Sequence, residues 1–435
     1  MTGPSWGTDR QCDQNRFDLP NSRSGQFILA ALVLGPMLLA NSAVAQVKRG
    51  TTTLLVMPFE NRSKTAGAEW LSEACSELLV QRMASPGLYV VTRNQRVYSF
   101  DHAGVPVAVK PSRATIFRVA EELGADFVVL GSYEVSGDAF QASAQLLEVK
   151  NPKLRPEIKR AGSLADFAAL QSSLAWALLQ EMPNPPQVSE QQFIQASPPV
   201  RLDAFENYVR GVASSSRPQK IRYWKEALRL NPGYAAAAFQ LGKLYYDGHD
   251  YEQAVVWLAK VPKEDPSGGE ASFLVGMAEY NRGYLDRANV AFSSLVARVP
   301  LTEVYNNIGV VDARRGRRTE AMEYFSKAVA ADPSDADYRF NLALALFKAG
   351  DNAGAARQLR EEVQFKPSDS EAKALLYLLN HGVTMASVTS AAASGGPATG
   401  QPRIPIERIK RNYDEASYRQ IEMQIDNLKQ QQRTK

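Results

Sequence analysis

The 435-residue sequence is poor in cysteine and histidine, with two and three of them respectively. That is too few for a zinc cluster built from Cys and His, and it excludes a disulfide-stapled scaffold. An excess of charge of one sign is also missing. Fifty Lys and Arg face 46 Asp and Glu, leaving a formal net charge of +4. Over this length so small an excess leaves no electrostatic footprint for nucleic acid. There is no phosphate loop closing in Gly-Lys-Ser/Thr, no Gly-x-Gly-x-x-Gly turn after a strand and no His-Glu-x-x-His, so the common nucleotide and zinc-protease signatures are absent. His102, His249 and His381 lie far apart in sequence, and Asp101-His102 reads as a lone pair in a loop. No catalytic, cofactor-binding or metal-ligating residue is assigned, and the chain reads as a non-enzyme.

Long apolar runs are scarce, with one exception. Phe27 to Ala40 reads FILAALVLGPMLLA, preceded by Arg23 and followed by Ala43-Val44-Ala45. The run is shorter than the roughly 20 residues of a membrane span. The small-x-small triplet suits signal cleavage, so residues 1–45 read as a signal peptide and the mature chain starts at Gln46. The expected location is periplasmic or secreted. Retention of the segment as an anchor is the alternative, and only then is a membrane a partner. Residues 1–26 carry three Arg and three Asp, which is also compatible with a start downstream of Met1. The mature chain keeps Cys75 alone, on an apolar helical face, where a buried structural thiol is expected.

Residues 46–184 read as a small α/β domain. Thr52 to Phe59 (TTLLVMPF) and Leu88 to Thr92 are β-rich runs. Leu71, Cys75, Leu78, Leu79 and Met83 share one helical face, and Ile116, Val119, Ala120 and Leu123 share another. Phe127–Val135 and Ala139–Leu147 flank Ser136-Gly137-Asp138 as a hairpin. Glu157–Ala161 adds a candidate strand, and Ser163 starts a third helix with capping-box-like spacing. The expected arrangement is a mixed sheet with helices on one face. MPFENRS at 57–63, LGADFVVLGSYEVSGD at 123–138 and LADFAALQ at 164–171 resemble the TolB-like amino-terminal domain of bacterial envelope proteins. That resemblance implies a TolB-like fold and a contact in the cell envelope.

Residues 201–382 repeat. Pro232, Pro266, Pro300, Pro333 and Pro367 recur at spacings of 34, 34, 33 and 34. Ala254, Ala288, Ala321 and Ala355 follow the same period, as do Gly242, Gly276 and Gly309 with Ala343 in the next slot. Gly283, Gly316 and Gly350 form a further series. This resembles tetratricopeptide repeats (TPR), two helices per unit. Units are read at 235–268, 269–301, 302–335 and 336–369, with a degenerate unit at 201–234 and a capping helix at 370–382. The fold class is thus multi-domain, a small α/β domain followed by an all-α TPR superhelix. The resemblance implies a concave partner-binding groove. Matched unit by unit, its lining is Phe239, Lys243 and Tyr246; Phe273, Met277 and Tyr280; Asn306, Val310 and Arg314; and Phe340, Leu344, Phe347 and Lys348. For each aromatic, packing between helices is the competing reading. Such a lining suits a peptide with apolar anchors and some acidic groups.

Residues 185–200 and 383–402 read as linkers, the second rich in Ala, Ser, Thr, Gly and Pro. In 403–435, Ile409, Tyr413, Ile421, Ile425 and Leu428 fall on one face of an amphipathic helix. Docking of this helix on a partner, on the protein's own groove, or on the array as a cap stays open. The expected function is an exported scaffold that binds a protein or peptide in the cell envelope. A membrane-anchored sensor and an enzyme subunit with its site in the α/β domain are the alternatives. No cofactor and no nucleic acid are implied.

Overall fold

Three consecutive apolar residues near the start of the folded chain set its layering. β1 (Thr52–Val56) sends Leu54 and Val56 into one apolar cluster and Leu55 into another. A strand apolar at successive positions is one covered on both faces. The computed structural model describes residues 52–63, 65–85, 87–105, 110–387, 404–415, 417–418, 421–422 and 424–425. The expected signal segment and residues 388–402 of the second expected linker lie outside these residues.

The α/β part runs β1, β2 (Glu60–Asn61), α1 (Trp70–Met83), β3 (Leu88–Val90), α2 (Arg93–His102), α3 (Arg113–Glu122), β4 (Phe127–Ser136), β5 (Ala139–Glu148), β6 (Lys153–Leu154), β7 (Ile158–Ser163) and α4 (Phe167–Gln180). β1 lies between β3 and β4, parallel to both. β4 also pairs in parallel with β2, and antiparallel with β5 in a long hairpin. β5 carries β6 and β7, both antiparallel. Helices cover both faces, which corrects the one-sided expectation. α1 and α4 pack with Leu54 and Val56. Phe100 of α2 and Ile116 and Val119 of α3 pack with Leu55 and Val128.

Helix α2 replaces the expected loop around Asp101-His102. Thr92 and Gln95 form a reciprocal capping box at its start. Its inward positions are Arg96 and Phe100 rather than an apolar stripe, which hides it from a periodicity search. Arg96 is buried and donates to the Val56 carbonyl (2.9 Å) and to Ser76 Oγ (2.6 Å), while its other nitrogen pairs with Glu73. Ser163 caps a short 3-10 turn, Leu164–Asp166, by accepting from the Ala165 N–H, and α4 begins only after it.

The first expected linker is structured. α5 (Glu190–Ala196) has its own capping box at Ser189 and Gln192. Glu190 reaches Arg160 and Ser173, and Trp176 Nε1 donates to the Val188 carbonyl at 3.0 Å. These polar anchors hold a Pro- and Gln-rich segment against α4.

The repeat part is α6 (Leu202–Ala213), α7 (Arg217–Leu230), α8 (Ala235–Asp247), α9 (Tyr251–Leu258), α10 (Gly268–Asn281), α11 (Leu285–Val296), α12 (Thr302–Arg314), α13 (Arg318–Ala331), α14 (Ala336–Ala349), α15 (Asn352–Phe365) and α16 (Ser370–Asn380). The recurring small residues let paired helices approach. A Cβ on Gly276 would sit 2.6 Å from the Phe292 ring, and one on Gly309 would sit 2.7 Å from Phe325. The α/β and repeat parts share one continuous apolar cluster. Phe167 is at its centre, with ring centroids 5.2 Å from Phe140, 6.3 Å from Trp70 and 6.3 Å from Phe205. Around it Tyr208 Oη donates to Glu77 (3.3 Å), Arg210 to the Gly67 carbonyl (3.0 Å) and Arg82 to the Pro198 carbonyl (2.5 Å).

The inter-helix turns give a first test. Gly283, Gly316 and Gly350 have φ of 80°, 76° and 92°, and His249 holds the equivalent slot at 60°. A left-handed conformation costs a residue bearing a Cβ about 1 kcal/mol. The His249→Gly substitution is expected to stabilise the chain by roughly 0.5–1 kcal/mol in urea unfolding, net of the exposed His249–Tyr251 hydrogen bond.

Candidate functional site

The first helices of successive units, α10, α12 and α14, place polar side chains at matching heights, because the repeat returns each to the same face. Residues 404–414 lie across them with no helical backbone, and helix appears only from Glu415 onward. This corrects the expectation of a helix over 403–435. Backbone groups of Arg408, Lys410 and Asp414 are taken by side chains of the repeats instead.

Two asparagines make the central contacts. Asn341 Nδ2 donates to the Arg408 carbonyl and its Oδ1 accepts the Arg408 N–H, both at 2.7 Å. Asn307 does the same for Lys410, with both bonds at 2.8 Å. Asn306 adds a bond to the Arg408 carbonyl at 2.9 Å, and its Oδ1 accepts from Asn341 at 2.7 Å. Each side-chain amide thus plays the part of a neighbouring β-strand for one residue of an extended segment. Glu303 accepts the Asp414 N–H at 3.0 Å.

Charged pairs flank this backbone ladder. Arg408 meets Asp369 through both carboxylate oxygens (2.7 and 2.9 Å), Glu371 (2.9 Å) and Asp337 (3.2 Å). Its guanidinium lies 3.6 Å from the centre of the Phe340 ring. Lys410 takes Asp335 and Asp337, each at 2.8 Å. Glu407 pairs with Lys348 at 2.6 Å. Burial works against the Asp369 carboxylate. The Arg408 hydrogen bond, the Ala372 N–H and the charges of Arg408 and Lys366 outweigh it and hold the pKa well below the usual range. Burial likewise disfavours the Lys410 charge, but Asp335 and Asp337 outweigh it and raise its pKa.

Of the expected lining residues, four touch this segment directly. Phe273 lies 5.6 Å from Tyr413 by ring centroids, Asn306 bonds the backbone, Phe340 stacks under Arg408, and Lys348 binds Glu407. Met277 Sδ accepts from Asn307 Nδ2 at 3.6 Å, one step behind the ladder. Tyr280 is covered by Arg314 at 4.6 Å and feels the charges of Glu407 and Arg411; the Arg411 charge also reaches Tyr246. Lys243 is engaged by Glu270 at 2.5 Å and lies over the Phe239 ring at 5.6 Å. Val310, Leu344 and Phe347 are packed into the apolar core of the array. Phe273 also packs edge-on against Phe292, so it serves core and groove together.

The residues missed from sequence are Asn307, Asn341 and the carboxylates. Two signals pointed to them. Asn307 and Asn341 are 34 apart, and Glu270, Glu303, Asp337 and Glu371 follow at 33, 34 and 34. The last three of that acidic column touch the tail.

Glu362 stands behind the Arg408 pocket. It is fully buried, with the Asp369 carboxylate beside it. Burial first, and the neighbouring Asp369 charge second, push its pKa from 4.5 to about 7. An acid whose pKa is raised on folding penalises the folded state once the unfolded form ionises. The penalty therefore grows between about pH 4.5 and pH 7 and is constant above. The Glu362→Gln variant should exceed wild type in Tm at pH 8 and nearly match it at pH 5, as differential scanning fluorimetry would show.

Among the described residues, no group of His, Cys, Asp and Glu is arranged to hold a metal ion, and no helix is long and apolar enough to cross a membrane. Cys75 is buried, its thiol pKa raised by that burial, with Gln171 Nε2 3.4 Å from the sulfur.

Family models for the tetratricopeptide repeat match residues 221–272 and 306–370. The chain carries repeats of that kind. Similar solved structures include residues 41-end of MamA from Desulfovibrio magneticus RS-1, at 23% identity, covering 37% of this chain and 92% of that one, TM-score 0.34. YrrB, described as a TPR protein with an unusual peptide-binding site, is similar at 20% identity, covering 41% and 91%, TM-score 0.36. The LpoB C-terminal domain from Escherichia coli is similar at 23% identity, covering 26% and 82%, TM-score 0.23. No curated protein matches the chain.

Proposed function

We propose that this protein is a non-enzymatic exported adaptor that binds an extended segment of a partner protein along the concave face of its repeats. The observation that carries the reading is the paired use of Asn307 and Asn341, each donating to and accepting from a single residue of an extended chain. Such contacts recognise backbone, and flanking side-chain pockets then choose among sequences. The α/β part, with its resemblance to the TolB-like amino-terminal domain, is a second contact in the cell envelope. Because it shares a core with the repeats, the two surfaces are held in fixed relation rather than on a linker. The apolar segment before Gln46 is the export signal, and amino-terminal sequencing of the mature protein checks it.

The binding role is tested by cross-linked affinity capture from envelope extracts. The bait is the full chain with Arg408→Ala/Lys410→Ala, which frees the groove. The comparison adds Asn307→Ala/Asn341→Ala to that bait, after thermal melts verify both folds. A partner retained by the first and lost by the second supports the groove as the working surface. Equal capture moves the binding role to the α/β part.

A further inference from the structure

We infer that the groove selects a basic extended segment of a partner protein, with Arg and Lys two residues apart and an aromatic residue three further on, and that the chain's own residues 408–413 are a displaceable stand-in for it. This rests on the peptide-binding reading above and adds the charge of the ligand and the means of regulation.

Asp335, Asp337, Asp369 and Glu371 converge on the two tail cations. From the array itself Lys366 approaches them, 3.4 Å from Asp369 and 4.0 Å from Asp337. Take the tail away and four carboxylates face one lysine, a negative patch on a concave surface that focuses its field on an incoming cation. An arginine fits best. Asp369 receives the guanidinium in a two-pronged pair while the Phe340 ring supports its face, a combination a lysine cannot reproduce. The lysine site is a plain pair of carboxylates.

Residues two apart lie on one face of an extended chain but on different faces of a helix. Arg408 and Lys410 reach adjoining acidic sites while their backbones are held by Asn341 and Asn307. The ligand is therefore a strand-like segment. A third subsite lies beyond. Tyr413 rests against Phe273, and a Cβ on Gly269 would collide with the Tyr413 hydroxyl, so the missing side chain at Gly269 makes the room.

The contacts are hydrogen bonds, ion pairs, ring contacts and the apolar packing of Ile409, each of which a second chain could supply. A tethered segment sits at an effective concentration in the millimolar range. A free peptide of equal intrinsic affinity then competes poorly with wild type and well once the tail's own anchors are removed.

The test is fluorescence anisotropy with a labelled synthetic peptide of residues 403–425 and full-length protein. The Arg408→Ala/Lys410→Ala chain is expected to bind the peptide at least tenfold more tightly than wild type. An Arg408→Glu/Lys410→Glu peptide should bind at least tenfold more weakly than the native one. Adding Asp337→Ala/Asp369→Ala to the protein should abolish that preference. Equal binding of both peptides overturns the basic selectivity while leaving peptide binding intact. If the opened chain keeps its melting profile and binds neither peptide, the tail is a fixed strap and the stand-in is refuted. The Asn-dependent capture described above then judges the peptide-binding reading on its own. A wild-type mass of two chains by light scattering, lost in the opened chain, would make the occupant a second copy's tail and overturn the partner assignment.

Discussion

Replacing Asn307 and Asn341 together by alanine is expected to unseat residues 404–414 while the helices stay folded. The pair makes four hydrogen bonds to the tail backbone, all at 2.7–2.8 Å. At a net worth of about 1 kcal/mol each, and allowing for incomplete additivity, the loss is roughly 2–4 kcal/mol. That corresponds to a shift of about 30-fold or more in the seated-to-unseated ratio. Trypsin reads the change directly, since Arg408, Lys410 and Arg411 are cleavage sites within the seat. Their cleavage should accelerate by about the same factor, with cuts in the repeat helices unaffected. Unchanged cleavage would mean that the asparagines do not hold the tail.

The Phe167→Ala variant is expected to lower stability by about 3–5 kcal/mol, the usual range for emptying a fully buried aromatic site. Phe167 is 0% exposed and contacts rings from α1, β5 and α6 at once. Its position makes the α/β part and the first repeat one cooperative body. Scanning calorimetry should therefore show the transition of the α/β part and that of the leading repeats move down together by several degrees. A repeat transition that stays in place while only a smaller one shifts would show two independent domains. The sequence-level expectation of a plain linker over 185–200 belongs with that second outcome. The bonds from Trp176, Arg160 and Ser173 to that segment argue for the first.

The repeat helices were readable because their geometry is imposed by small and terminating residues at fixed spacing. Gly276 and Gly309 mark close helix contacts, and Gly283, Gly316 and Gly350 mark left-handed turns. Such positions tolerate few alternatives, so the pattern survives in a single sequence. Helix α2 was not readable, because its inward side chain is Arg96, whose burial depends on Glu73, Ser76 and the Val56 carbonyl. Those partners are near only in three dimensions. The tail is not legible for a related reason. Ile409 and Tyr413 are four apart and suit a helix, but the amides around them find better partners in Asn307, Asn341 and Glu303. Tertiary hydrogen bonds decided the local conformation.

Within the candidate site the aromatics are legible from the sequence and the acids are not. A column of Glu270, Glu303, Asp337 and Glu371 normally reads as a solvated face of successive helices. What distinguishes it is the strict repeat period, which places four separate carboxylates at equivalent positions of successive units. Phe347 and Leu344 show the converse. Their helical spacing is right for the groove, but they belong to the cluster with Ala355, Leu359 and Leu375, so large apolar side chains there were core.

Recognition here requires an extended segment held through its backbone, and residue-resolved amide hydrogen exchange on the full chain tests that most directly. The N–H groups of Arg408, Lys410 and Asp414 are bonded to Asn341, Asn307 and Glu303. Alternation along a strand turns the intervening amides the other way. Slow exchange at Arg408 and Lys410, with fast exchange at Ile409 and Arg411, is the predicted result. Uniformly fast exchange through 404–414 would mean an unseated tail, and uniformly slow exchange would mean a helix; either would contradict the proposed mode of recognition.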